Sequence, residues 1–185
     1  VANPATNLFW KANSIAQQTI DIDVSAYANT IDYLGIAKHN FGTDAIQIRL
    51  DVQNIDTTFT TVIPAYTPAD DSPIILRFNP QLALKVRLII SATASPIARI
   101  GVLYSGKLLV SQRRVYVGHT PITMGRTIVA TNGMSENGNF LGRIVTQKSV
   151  IGGVKLSNLT PSWYRASFDP FVKSVDEKPF FFAWR

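Results

Sequence analysis

Apolar and polar residues alternate with a period of two through the first half of the chain. Ile20, Ile22 and Val24 alternate with Asp21 and Asp23 over Thr19–Val24. Ile46, Ile48, Leu50 and Val52 alternate with Gln47, Arg49 and Asp51 over Ala45–Val52, and Leu82, Leu84, Val86, Leu88 and Ile90 share one face of Leu82–Ile90. Such alternation predicts half-buried strands of antiparallel sheets. Ile31–Ala37 and Ile97–Tyr104 are more continuously apolar, which predicts central strands. Pro64, Pro68, Pro73, Pro80 and Pro96 are expected between the strands, where a missing N–H costs no ladder bond, and Asp70-Asp71-Ser72-Pro73 reads as a loop.

The pattern changes after Ser105-Gly106. Arg113–Val117 predicts a strand and Gly118 and Pro121 a turn; Arg126–Thr131 predicts a second strand, stopped by Asn132-Gly133. Asn137-Gly138 is the strongest hairpin signal in the chain. Phe140–Gln147 and Val150–Leu156 are expected to pair around Ser149 or Gly152-Gly153. One short helix is expected near 160–175: Thr160 is a natural N-cap, Pro161 suits the first helical position, and Trp163, Tyr164, Phe168 and Phe171 recur along it. Asp169-Pro170 is expected to kink or interrupt it. Phe168 and Phe171 read as core, and Pro179–Trp184 as a closing aromatic strand.

These elements predict an all-β, mainly antiparallel protein: a jelly-roll β-sandwich over residues 1–106, then a smaller β-rich domain over 107–185 with the one short helix. The chain opens on Val1 rather than Met, which implies an initiator or leader upstream, and it stops inside the aromatic run, which leaves room for a continuation beyond Arg185.

Composition sharpens the picture. Charged residues are 16% of the chain, below the roughly 25% of an ordinary soluble domain. Either a large core or a surface covered by partners accounts for that. The net charge is +6, but Lys85, Arg87, Arg99, Arg113, Arg126, Arg143 and Lys155 are spread over many strand-like segments, which argues against a nucleic-acid face. No run is long enough for a membrane span, so no membrane insertion is expected. The absence of cysteine excludes disulfides and zinc–thiolate sites.

Candidate chemistry is sparse. His39 and His119 each lie beside a turn with no second ligand at metal spacing, and each is read as ending a strand and bonding its loop backbone. Asp70 and Asp71 could offer oxygens to Ca²⁺, but adjacent loop carboxylates are more ordinarily solvated. There is no nucleophile elbow, no P-loop and no paired-carboxylate signature. No enzyme activity, no cofactor and no metal requirement are therefore expected. Arg113 and Arg114, consecutive on a predicted strand, point to opposite faces; with Trp163 and Tyr164 they are the candidate subunit interface. Trp10, Asn40 and Tyr66 are candidate glycan contacts if the sandwich is lectin-like.

The segment IDYLGIAKHNFG resembles the strand-turn opening of galactose-binding-like (discoidin-type) jelly rolls in phage tail proteins. The later runs RRVYVGHTPITMGR, NGMSENGNFLGR, LSNLTPSWYRASFDPFV and KPFFFAWR are similar, in order, to a tail-module protein of long-tailed bacteriophages. The resemblance implies a structural component of a tail tip or baseplate, analogous to distal tail proteins: a homo-oligomeric ring of three or six subunits contacting other phage tail proteins, located in the virion and assembled in the host cytoplasm. It brings no catalytic motif. A carbohydrate-binding module that recognises a host surface glycan is the alternative.

Overall fold

The computed structural model describes residues 7–26, 30–93, 97–115, 124–176 and 178–183. The fold is all-β and antiparallel, and the chain forms two compact units: Val1–Leu109 with Val172–Arg185, and Val110–Phe171. The last fourteen residues thus group with the first unit rather than with the segment that precedes them.

The first unit is a sandwich of two four-stranded sheets. One has the order β1-β8-β3-β6, from Trp10–Lys11, Arg99–Gly106, Ile31–His39 and Ile74–Gln81. The other has the order β2-β7-β4-β5, from Gln18–Asp23, Lys85–Ile90, Ile48–Gln53 and Phe59–Tyr66. Between them Ile31, Leu34, Ile36, Ile48, Leu50, Val52, Val86, Leu88, Ile90 and Ile100 are fully buried. These are largely the positions that the period-two pattern selected, because a pleated strand sends alternate side chains to one face.

Several predicted boundaries move. β4 starts at Ile48 because Ala45 has φ 49°, in a turn closed by the Ala45 N–H on Gly42 O. The run from Leu82 is not one strand: Leu82–Leu84 form the turn between β6 and β7, so Leu82 is exposed. Pro64 and Pro80 lie inside β5 and β6 rather than between strands. Both are edge strands, and both prolines fall at register shifts: Ile48 pairs with Tyr66 but Leu50 with Ile63, and Ile31 pairs with Gln81 but Tyr33 with Arg77. An edge strand at a bulge has no ladder bond for proline to remove. Of the prolines expected between strands, Pro96 lies outside the described residues.

Pro179–Ala183 is irregular, not the predicted strand, and Trp184 lies outside the described residues. Its Phe181 packs on the outer face of β3 and meets Tyr104 edge-on at 6.0 Å. The contact requires glycine at 35, where a Cβ would stand 2.6 Å from the Phe181 ring. Gly35→Ala is expected to expel Phe181 while leaving the sandwich folded. Limited proteolysis then cuts within 178–183 in the variant faster than in the wild type, and equal rates would mean the ring does not hold the segment down.

The second unit is built on a hairpin of β9 (Arg126–Met134) and β10 (Phe140–Val150). The predicted pairing of Phe140–Gln147 with Val150–Leu156 does not form. β10 runs unbroken through Ser149 and pairs with β9, and residues 151–157 have no regular structure. The turn is where Asn137-Gly138 placed it, but it has three residues. Gly138 donates to Ser135 O, and its φ of 77° makes it the left-handed residue that closes a type I turn. Residues 113–115 are irregular rather than a strand, and the remainder of that predicted strand, with the turn that follows and His119, lies outside the described residues.

Thr160 caps the helix as expected, accepting the Trp163 N–H, and Pro161 opens α1 (Pro161–Trp163). A π turn, Tyr164–Phe168, then leads into α2 (Asp169–Val175). Pro170 therefore does not end the helix; the wider turn just before it absorbs the ring and the missing N–H. Phe168 and Phe171 are half-buried rather than core, their rings packed largely against one another and their aromatic neighbours. The two rings meet at 6.4 Å, tilted by 43°, and Phe168 meets Tyr164 at 5.6 Å and Trp163 at 6.0 Å.

Candidate functional site

The chain from Phe9 to Ala12 alternates across one face of the sandwich. Trp10 and Ala12 point inward and pack on the core, so Phe9 and Lys11 point out. β1 pairs with the start of β8, placing Lys11 directly opposite Arg99. The turn after β3 brings Asp44 to the same end. Phe9, Lys11, Asp44, Ile97 and Arg99 together line an open recess of about 430 Å³. That lies within the roughly 300–1,000 Å³ of small-molecule sites.

Asn40 fixes this end from behind. It is buried, and its side-chain oxygen accepts the Arg99 N–H at 2.8 Å. Its Nδ2 donates to Ile97 O at 2.9 Å and to the Asp44 carboxylate. One amide thus holds three of the five lining residues in register. Phe9 is 55% exposed, high for an aromatic ring beside a formed recess. The site presents an apolar ring face, two cations and one carboxylate.

Of the candidate glycan contacts, Trp10 turns inward and supports the recess without lining it. Asn40 is structural and acts through its neighbours. Tyr66 belongs to the other sheet, on β5, half-buried against the core, where burial pushes its phenol above the usual range. The structure brings Trp10 and Asn40 to the same end and leaves Tyr66 out. The residues that line the recess were missed, although the alternation of Phe9-Trp10-Lys11-Ala12 was the signal that could have found two of them. A second recess of about 460 Å³ lies on the outer face of the β3 sheet, but among its lining side chains only Tyr104 carries a polar group, so it offers little to orient a polar ligand.

No protein-family model matches the chain, and no curated protein matches it. Solved structures do. The chain is similar to CpGH89CBM32-5 from Clostridium perfringens, solved in complex with GalNAc-β-1,3-galactose, at 15% identity and a TM-score of 0.47 over 56% of this chain and 78% of that one. A pectin-binding carbohydrate-binding module aligns at 14% identity and a TM-score of 0.44, over 61% and 81% of the two chains. Truncated AlyQ, with CBM32 and alginate lyase domains, aligns at 14% identity and a TM-score of 0.40, over 62% of this chain and 30% of that one. What the present chain does has to be argued from its own residues.

His39 is buried between strand and loop. Its Nδ1 accepts the Phe41 N–H at 3.2 Å, which leaves the proton on Nε2 to donate to Ser72 O at 2.9 Å. The ring also stacks on Phe41 at 4.8 Å. Both nitrogens are occupied by backbone, as the turn-side reading of His39 expected. Among the described residues no group of three or more His, Cys, Asp or Glu could hold a metal. Asp71 ties its loop to the turn after β3, accepting the Thr43 hydroxyl and the Thr43 and Gly42 N–H groups. The Thr43 hydroxyl, then its N–H, hold the Asp71 carboxyl below the usual range, and the Ser72 N–H does the same for Asp70.

A depressed folded-state pKa stabilises the fold above the ordinary carboxylate range and ceases to do so as pH falls through the folded value. Acid unfolding is therefore expected to steepen below about pH 4. Asp71→Asn is expected to flatten that limb, measured as Tm between pH 6 and pH 2. An unchanged acid limb would mean that the loop tie does not contribute.

Arg113 and Arg114 are both exposed on an irregular segment, not on opposite faces of a strand. Trp163 is half-buried in the aromatic stack, and Tyr164 is exposed beside it.

Proposed function

We propose that the protein is a carbohydrate-binding module whose sandwich holds a glycan, without turnover, at the end formed by β1, β8 and the turn after β3. The observation that carries this reading is the recess lined by Phe9, Lys11, Asp44 and Arg99 and fixed from behind by Asn40. An exposed ring can cover the apolar face of a sugar, while cations and a carboxylate take its hydroxyls. Among the described residues, nothing around the recess pairs a nucleophile with a base or sets two carboxylates across it, which supports binding rather than catalysis.

The test is an array of immobilised glycans probed with the wild-type chain and with Phe9→Ala. Binding of at least one glycan, weakened about tenfold by the substitution, is expected. Absence of binding to every glycan, or binding indifferent to Phe9, overturns the reading.

A second reading, a structural subunit of a phage tail tip, is favoured by a separate observation. The β9–β10 ribbon exposes Ile128, Val129, Phe140, Leu141 and Ile144 and has no third strand among the described residues. An isolated two-stranded ribbon is marginal in water, and its open edges invite another chain. The segment 110–171 also carries seven Lys and Arg against Glu136 and Asp169, so the excess charge of the protein sits there and suits an acidic partner surface. The two readings are compatible, one unit recognising a glycan while the other is built into a particle.

A further inference from the structure

Resting on the carbohydrate reading of the same recess, we infer that the bound sugar is anionic and carries a carboxylate or a sulfate. Lys11 and Arg99 are register partners on antiparallel strands, so two like charges stand directly opposite one another. That arrangement is destabilising on a free surface. Both side chains are exposed, and neither makes an ion pair within 4.0 Å among the described residues.

A cross-strand cation elsewhere in the sandwich is treated differently. Arg87 also lies opposite a charged residue across β2 and β7, but that residue is Asp21, and the two form a bidentate pair at 2.7 Å. At the recess the charge is only half answered: two cations face one carboxylate, and neither pairs with it within 4.0 Å among the described residues. The one carboxylate there, Asp44, is engaged by Asn40 Nδ2. An anionic group on the ligand completes the set: Lys11 and Arg99 clamp it, the arginine with two parallel N–H donors, while Asp44 accepts a sugar hydroxyl and Phe9 covers the ring face.

The experiment compares an oligouronate, its methyl ester, a sulfated oligosaccharide and a neutral oligosaccharide, by calorimetry on the full chain. The oligouronate or the sulfated sugar is expected to bind, and the ester and the neutral sugar to bind at least about tenfold more weakly. Which of the two anions binds distinguishes carboxylate from sulfate. Lys11→Gln and Arg99→Gln each cost about tenfold, Arg99→Lys costs less than Arg99→Gln, and affinity falls as salt rises. Melting curves of the Gln variants are expected to match or slightly exceed the wild type, since both side chains are solvent-facing and the substitution relieves their like-charge repulsion.

Equal binding of charged and neutral sugars, still sensitive to Phe9, overturns the anionic inference and leaves the carbohydrate reading standing. Binding of none of the four here, while a neutral glycan binds on the array, does the same. Binding of none here and none on the array overturns both.

Discussion

Asn40→Ala is expected to unfasten one end of the sandwich and to abolish ligand binding together. The side chain is 9% exposed and serves three groups: the Arg99 N–H, the Ile97 carbonyl and the Asp44 carboxylate. Alanine leaves the first two without their partner in a region that water enters poorly. Each unsatisfied group costs about 1–3 kcal/mol, so the loss for the two is roughly 2–6 kcal/mol and the Tm falls by on the order of 10 °C. Affinity for any ligand of the recess is expected to fall by more than about tenfold even well below the Tm, because Asp44, Ile97 and Arg99 lose their common anchor. Asn40→Asp is the sharper control. It keeps the shape but turns a donor into a second acceptor facing Ile97 O and the Asp44 carboxylate. Thermal melting of the two variants decides the matter: if Asn40→Asp melts with the wild type, the amide is not the fastening described here.

The second large effect is expected on the β9–β10 ribbon. Leu141 and Ile144 are 70% and 71% exposed, more than aliphatic side chains of a finished surface usually are when clustered. If the ribbon is an assembly surface, Leu141→Asp with Ile144→Asp removes about 4 kcal/mol of burial per contact and weakens association about a thousandfold. Sedimentation of the wild type is then expected to show an oligomer and that of the double variant a monomer with an unchanged sandwich melt. A wild type that stays monomeric at every concentration, without any phage partner restoring assembly, counts against the structural-subunit reading. Arg113→Glu with Arg114→Glu is a gentler probe. Both arginines stand on exposed irregular chain, so they are expected to slow assembly more than to prevent it.

Legibility followed the strength of the hydrophobic signal. Ile31–Ala37 and Ile97–Tyr104 read as central strands and are central, because both faces are covered and the apolar run is long. The edge strands Phe59–Tyr66 and Ile74–Gln81 went unread: their outer positions are solvent-facing, and each carries a proline that sequence rules place outside sheets. The hairpin turn at Gly138 was visible as a local signal. Both of its strands were read, Arg126–Thr131 and Phe140–Gln147, but not their pairing with each other, since exposed residues of both kinds leave no periodicity to set a partner for Phe140–Val150. The recess shows the same limit. Asn40 and Trp10 attracted notice as polar and aromatic residues near turns, yet their side chains point inward. The lining falls to Phe9, Lys11, Asp44 and Arg99; the pairing of β1 with β8 brings Phe9 and Lys11 to Arg99 across about ninety residues of sequence, and the turn after β3 adds Asp44.

The π turn at Tyr164–Phe168 has a consequence in the language of insertions and deletions. Such a turn is one extra residue that the helix has absorbed, with the Asp169 N–H reaching back to Tyr164 O. Deleting Ala166 is expected to weaken the helix, because a regular α-turn no longer accommodates the Pro170 ring and its missing N–H. Trp163 and Phe168, five residues apart across the wide turn, would become four apart in a regular α-helix, so they would stay on one face and their 6.0 Å approach would be kept. Length variation at this point would therefore be read in the stability of the helix around Pro170, and not in which aromatic ring the segment shows to the outside.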